Sequence, residues 1–374
     1  MATLHTQEME LNMGPHHPST HGVIRFILKT DGEMVSECKP DVGYLHRSIE
    51  KIGELCTYNG FMPYTDRVDY VAAMNANFAY ALAVEKLAGI ECTRRGELLR
   101  IITAELGRIS SHLVAVGTMA MDIGAITPFP YALRERERVN DLLEEICGAR
   151  LTFNYHRIGG VGWDMPDGWD HKVIKFCDSF ERISHEFDRL ITNNHIFIER
   201  LANVVVIAPE DAIDFGLSGP NLRASGVDFD LRRDEPYSLY SELEFGVPLG
   251  TDRPGVVGDC YNRFVVRVHE MREAVRIVRQ CIAKLPETAG ENPIPKPKNF
   301  KVKENECYVR SEAPRGEMGI YVVSDGSDKA WRYRARTGSF TAMGAVEHLS
   351  AGIMIADLVA LVASFDVVAP EIDR

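Results

Sequence analysis

Apolar residues recur at helical spacing through most of the middle of the chain. From Asp69 to Ala88 the sequence is rich in alanine and leucine at that spacing, and Gly89 ends the run. Arg94 to about Met121 predicts a second helix, with Leu98, Ile101, Ile102, Leu106, Ile109 and Leu113 on one broad face. The pattern predicts three more helices, at Tyr131–Leu151, His171–Leu201 and Asn262–Leu285. Alternation replaces this period at the two ends. Residues 23–30 alternate, Asp31-Gly32 is a hairpin turn signal, and Met34 to Cys38 reads as the return strand. Pro286 through Lys298 holds four prolines and reads as a linker. After it, Gly319–Ser324, Asp325-Gly326 and Trp331–Arg336 predict a second hairpin, and Ala342–Ser364 a last helix before a short tail.

The fold class is therefore α+β: a long-helix bundle with small antiparallel sheets near the N-terminus and before the C-terminal helix. One integrated domain divides into a β element at 1–45, a helical core at 46–290, a linker and hairpin region at 291–341, and a helix and tail at 342–374. A net charge of -12 over 374 residues argues against nucleic acid as the main partner. Eight cysteines are scattered with no CxxC pair, which counts against a thiolate-rich metal site built by this chain alone and fits reduced thiols in a cytosol. The first dozen residues lack the apolar core of a secretory signal. Gly352–Phe365, the most apolar segment, is broken by Asp357 and is too short to span a bilayer.

Chemistry concentrates in Gly14-Pro15-His16-His17-Pro18-Ser19-Thr20-His21-Gly22. Two prolines and two glycines shape this loop, and it presents three imidazoles, side chains that exchange protons near neutral pH. On residue types alone it is a proton-transfer loop, a metal-binding patch, a histidine-capped turn or an accident of composition. Tyr64-Thr65-Asp66-Arg67-Val68-Asp69-Tyr70 is a second cluster. Asp66 suits a helix N-cap, Asp69 the positive end of a helix, and Tyr70 is either a half-buried aromatic or a phenol donor in a pocket. Asp122 closes a largely apolar helix; it faces water there or pairs with a histidine and tunes it. Arg134-Glu-Arg-Glu-Arg138 reads as a solvated charged face, Arg157–Gly162 as a tight turn, and His112 as a satisfied core histidine. Nucleophile-elbow, HExxH and dinucleotide-binding motifs are absent.

Taken in order, GPHHPSTHGVIRF, GYLHRSIEK, YTDRVDY, AYALAVEKL, LGRISSHL, DIGAITPF, RERE, RIGGV, SGPNLRASGV and DLRRDEPY resemble the 49-kDa (D) subunit family of respiratory complex I, in its bacterial form. The terminal Asp373-Arg374 also fits. The resemblance covers nearly the whole chain and implies a fold like the large subunit of nickel–iron hydrogenases. Those enzymes hold their metal with two CxxC pairs. Here the first region reads Cys56-Thr57-Tyr58-Asn59 and the last cysteine is Cys307. The resemblance thus implies a hydrogenase-like scaffold without its metal, its vacated cavity holding a quinone headgroup, ubiquinone or menaquinone. By position in the motifs, His21 and Tyr70 are the implied proton donors, Asp122 the implied partner of His21, and His17 a further quinone-contacting residue.

The same resemblance implies a subunit of an NADH:quinone oxidoreductase, a translocase active only as a multisubunit complex. Electrons would come from a 4Fe–4S cluster in a B-type subunit, with NAD bound by another subunit. C-type and I-type peripheral subunits and an H-type membrane subunit would be neighbours, on the cytoplasmic side of the bacterial inner membrane. One departure stands out: Thr152 occupies a position where many family members carry a histidine close to the cluster, and His156 is the nearby imidazole. The competing readings are a nickel–iron hydrogenase-type large subunit and a non-catalytic scaffold of a related membrane-bound dehydrogenase complex.

Overall fold

A computed structural model describes residues 8–17, 22–295 and 300–374. The first three strands, β1 (Glu8–Met13), β2 (Arg25–Asp31) and β3 (Met34–Asp41), form an antiparallel sheet in that order. The expected hairpin is β2–β3, turning at Gly32 with φ +64°. Strand β1 is exposed at all but Met13, so its sequence carries no alternating signal, and its pairing to β2 is a matter of backbone hydrogen bonds.

Two short helices, α1 (Ile49–Leu55) and α2 (Tyr58–Thr65), precede α3 (Ala73–Ala88). Helix α3 starts four residues later than its apolar period suggests. The Asp69 carboxylate accepts from the N–H groups of Val71 and Ala72, both at 3.2 Å, and holds 69–72 as a turn. Gly89, with φ +65°, ends it as expected. Thr93 caps α4 (Arg94–Asp122) by accepting from Gly96 N–H at 3.2 Å. Helix α4 is central: Leu98 through Leu113 are all buried, and α3 and α5 (Pro128–Cys147) pack against it. A two-residue hairpin, β4 (His156–Arg157) and β5 (Gly160–Val161), is the tight turn expected from RIGGV. Its Gly160 is required by proximity, since a Cβ there would lie 2.1 Å from the carbonyl oxygen of Pro293. The proline-rich segment is thus docked on this hairpin rather than free, and Val161 N–H donates to that same carbonyl at 3.0 Å.

The single helix expected at His171–Leu201 is two. Helix α6 (Trp169–Phe187) runs into one π turn at Asp188–Thr192, and Asn194 then caps α7 (His195–Leu201) through Ile196 and Phe197 N–H. Short helices α8 (Pro209–Asp214), α9 (Gly219–Ala224) and α10 (Leu231–Asp234) lead to α11 (Cys260–Lys284), which Asp259 caps and which packs along α4. The second sheet has three strands, β6 (Asn305–Ala313), β7 (Gly316–Ser324) and β8 (Ala330–Arg336), and lies on α3. The last expected helix is also divided, into α12 (Gly338–Leu349) and α13 (Ile355–Phe365), followed by α14 (Ala369–Asp373). Between α12 and α13, Gly352 N–H donates to Val35 O and Val35 N–H to Ile353 O, both at 2.8 Å. Those bonds tie the interruption to the edge of β3.

Candidate functional site

The YTDRVDY segment links α2 to α3 and carries the first candidate site residue. Tyr70 is half-buried. Burial raises its phenol above the ordinary range, Arg315 and Arg47 oppose the rise, and Asp69 adds to it. Asp66 ends α2 instead of capping α3, and burial pushes its carboxyl up to about 6 against the pull of Arg67.

Arg315 is the centre of the cluster behind Tyr70. Its guanidinium donates to Asp69 Oδ2 at 2.7 Å, to Asp366 Oδ1 at 3.4 Å and to the Asp366 carbonyl at 2.8 Å. Glycines hold this arginine in place. Gly316 has φ +109°, and a Cβ there would sit 2.4 Å from Ser218 Oγ. At Gly219 a Cβ would meet Gly316 Cα at 2.3 Å, and at Gly338 the Arg315 carbonyl at 2.0 Å. Backbones of the SGPNLRASGV segment, the β6–β7 turn and the start of α12 therefore touch directly. Glu371 of α14 completes the cluster; its carboxyl accepts from Ser339 Oγ, and its backbone carbonyl accepts from Thr337 Oγ1 at 2.7 Å.

The histidine loop reaches the same corner. Gly22, which follows His21, has φ +135°, and a Cβ on it would lie 3.5 Å from Ala369 Cβ in α14. His21 itself lies outside the described residues, as do Pro18, Ser19 and Thr20. His16 and His17 are exposed. The GYLHR segment arrives from a third direction. Asp373 accepts from Gly43 N–H at 2.8 Å and Leu45 N–H at 2.6 Å, and its carbonyl lies 2.8 Å from His46 Nδ1. Arg47 donates to the Arg67 carbonyl at 3.0 Å. Two motifs distant in sequence thus meet on residues 369–374, and Arg47 and Arg315 link the YTDRVDY segment to them. Asp122, the last residue of α4, is half-buried. Its expected partner is His21, so that pair also falls outside the described residues.

A second buried charge network extends inward and was not anticipated. Arg223 of α9 pairs with Glu270 at 2.6 Å, Glu312 at 2.8 Å and Asp230 at 3.4 Å. Arg232 bridges Asp230 at 2.7 Å to Glu105 at 3.3 Å, and Arg108 joins Glu105 at 3.0 Å. Spacings of three and four place Glu105, Arg108 and His112 on one face of α4, a signal the sequence did contain. His112 lies in the core as expected but is only half satisfied: Nε2 is 2.9 Å from Glu270 Oε2, Nδ1 is buried without a hydrogen-bond partner among the described residues, and burial lowers its pKa. The RERE face is less solvated than expected, because Glu135 is buried between Arg134 and Arg138.

His156 packs edge-on to Phe78 and hydrogen-bonds Thr103 Oγ1 at 2.9 Å. Burial, with Arg100 and Arg157, drives its pKa well below the usual imidazole range, so it is neutral near pH 7. All eight cysteines are free, and burial pushes Cys38 up to about 11 and Cys92 and Cys177 to about 12. These thiols do not fit a metal cluster, which needs paired thiolates. Among the described residues no group of three or more His, Cys, Asp and Glu is set to hold a metal ion. No described helix is long and apolar enough to cross a membrane. A groove of about 360 Å³ is lined by Tyr131, Ile183, Glu186, Phe187, Arg189 and Leu190, none of them from the histidine loop, the YTDRVDY segment or α14.

This α+β arrangement, with charged motifs gathered on a C-terminal segment, has a counterpart among known sequences. Residues 122–298 and 293–374 match the respiratory-chain NADH dehydrogenase 49 Kd subunit profile, and the chain belongs to that family. It is 62% identical over 368 residues to the second D-type NADH-quinone oxidoreductase subunit of Sorangium cellulosum, covering 98% of this chain and 95% of that one. Identity is 60% to the second D-type subunit of Anaeromyxobacter dehalogenans, with 98% and 97% covered. It is 48% to the D-type subunit of Chlorobium luteolum, with 99% and 94% covered.

Proposed function

We propose that this chain is the quinone-site subunit of a bacterial NADH–quinone oxidoreductase and donates protons to the quinone as electrons reach it. The observation that carries this reading is the corner at α14. There the described end of the histidine loop and the GYLHR segment meet α14, while Arg47 of that segment and Arg315 face the half-buried Tyr70 phenol. Reduction of a quinone to quinol takes two electrons and two protons, one for each carbonyl oxygen. His21 and Tyr70 supply one donor each. A phenol with pKa near or above about 10 is a weak acid toward water; toward the reduced quinone dianion it is strong enough. Tyr70 also lies where Arg315 and Arg47 stabilise the phenolate left behind. Asp122 pairs with His21 and responds when its charge changes, a first step of coupling to proton translocation. His17 flanks the headgroup from the loop.

The electron source lies in other subunits. A B-type partner holds the 4Fe–4S cluster, another subunit binds NAD, and C-, I- and H-type subunits complete the surroundings at the cytoplasmic face of the inner membrane. The thiols described above support placing the cluster outside this chain. The same observation disfavours the hydrogenase reading, although the scaffold itself is read as hydrogenase-like. The test is a pair of variants in the assembled complex, His21→Ala and Tyr70→Phe. Quinone reduction is lost in both while NADH oxidation by ferricyanide, which reports the upstream path, stays at the wild-type rate. Retained quinone reduction in both variants favours a scaffold role instead.

A further inference from the structure

Helix α12 carries a glycine that the fold of this chain does not require. Gly344 lies inside the helix, where glycine is less stable than alanine because it loses more backbone freedom on folding. A positive φ or crowding at the Cβ position is the usual reason for such a glycine. Neither holds here: Gly344 is not among the residues of positive φ, and a Cβ built on it meets no atom within 4 Å.

The space beside Gly344 is a groove of about 500 Å³. Its apolar walls are Pro40 and Val42 at the end of β3, Phe215 after α8, Phe340 and Met343 of α12, and Ile372 of α14. Phe340 is 46% exposed and Val42 41%. Phe340, Gly344 and Glu347 follow one another at spacings of four and three, so they form one exposed stripe along α12, while Ala342, Ala345 and Val346 pack in the core. Two exposed carboxylates, Asp214 and Glu347, also line the groove, and neither forms an ion pair with a described residue. Arg374, stacked on Phe340 at 4.4 Å, is engaged by the Ala335 carbonyl at 2.9 Å and by Glu50 at 3.7 Å. His348 lies against Phe215, with ring centres 5.4 Å apart.

We propose that this groove seats a helix of a partner subunit, whose apolar face packs over Gly344 and whose lysine or arginine flanks meet Asp214 and Glu347. The inference goes beyond the quinone-site reading and does not depend on it. An amphipathic helix laid into an apolar groove is a common mode of recognition, and a residue without a side chain at the crossing lets the two helix axes come close. The carboxylates choose among the occupants. A second copy of this chain would set the same acidic stripe against itself across a two-fold axis. An anionic lipid surface would be repelled, and a quinone tail would leave both carboxylates unanswered. Ile372 lines the groove, and Asp373 beside it holds Gly43 and Leu45 N–H, so the docked helix braces α14 where it meets the GYLHR segment.

The test places the photoreactive residue p-benzoylphenylalanine at Phe340, an aromatic-for-aromatic change on the surface, and separately at Glu347, in the assembled complex. Irradiation is followed by mass spectrometry of the cross-linked peptides. Both positions are predicted to capture one segment of another subunit, with apolar residues three and four apart and lysine or arginine beside them. Capture of a second copy of this chain, of lipid or of quinone overturns the proposal. So does a partner segment without basic residues or helical spacing, and so does the absence of a cross-link at both positions. A second arm keeps the label at Phe340 and adds either Asp214→Lys with Glu347→Lys, or Gly344→Leu. The charge reversal is predicted to lower the cross-link yield about tenfold while the chain stays in the complex. Gly344→Leu fills the groove from a position with no neighbour in this chain and lowers the yield as well. An unchanged yield in either variant overturns the proposal.

Discussion

Replacing Arg315 with methionine removes the cation that joins Asp69 to Asp366. The residue is 2% exposed and its side chain makes three hydrogen bonds, at 2.7, 2.8 and 3.4 Å. Methionine fills much of the volume, so the main loss is electrostatic: three buried carboxyls remain, with Arg267 at 3.9 Å from Asp366 as the nearest cation. Breaking a buried pair by removing one partner costs about 3–5 kcal/mol. At about 2 °C per kcal/mol for a chain this long, the melting temperature falls by roughly 6–10 °C. The deficit depends on pH with a definite sign. Without Arg315 the Glu371 carboxyl, which burial pushes up to about 8 against the opposing pull of Arg315, rises further. The folded variant then binds more protons than the unfolded chain, and its stability drops as pH rises through that range. Differential scanning fluorimetry of the assembled complex at about pH 6 and about pH 8 tests this, with the larger deficit predicted at the higher pH. Quinone turnover also falls, because Arg315 no longer stabilises the Tyr70 phenolate. A melting temperature within about 1 °C of wild type at both pH values refutes the idea that Arg315 compensates these carboxylates.

The β6–β7 turn should be equally intolerant at its glycine: Gly316→Ala costs about 2–4 kcal/mol from backbone strain and overlap with Ser218. Gly32→Ala, also at positive φ but with nothing within 4 Å of the added Cβ, costs about 1 kcal/mol; equal melting shifts for the two variants contradict the crowding at Gly316. His156 is held neutral and Thr152 has no imidazole. The midpoint potential of the partner's cluster should therefore vary with pH by well under about 59 mV per unit, the slope for one proton per electron. A full slope in a potentiometric titration sinks that prediction. Asp122→Asn lowers quinone turnover by up to about tenfold if the two pair. A pH–rate profile that superimposes on wild type excludes the pairing.

The helix period exposed the long elements well because burial on α3, α4 and α11 is dominated by repeating apolar positions. It failed where local polar chemistry interrupts the backbone: Asp69 delays α3, Asn194 restarts the chain as α7, and Val35 claims the segment around Gly352. Strand β1 was illegible because its outward side chains carry no alternation. The site was legible in part. Its histidine loop and Tyr70 are dense in chemistry within a few residues. Arg315, Asp366 and Glu371 were not singled out, since each looks ordinary in sequence and acquires its role only when the β6–β7 turn meets α14. For Glu105, Arg108 and His112 the spacing was present, but their carboxylate and guanidinium partners lie far away in sequence, on α10 and α11.

Quinone binding at the corner formed by the histidine loop, Tyr70 and α14 is the central claim. Photolabelling the assembled complex with a quinone bearing an azide on its headgroup, followed by mass spectrometry of this chain, tests it most directly. Label is predicted in peptides containing Tyr70, the segment from His17 to Gly22 or residues 366–374, and it should be lost when excess unlabelled quinone competes. Competable label confined to the groove around Tyr131, Phe187 and Leu190, with none at the corner, contradicts the claim.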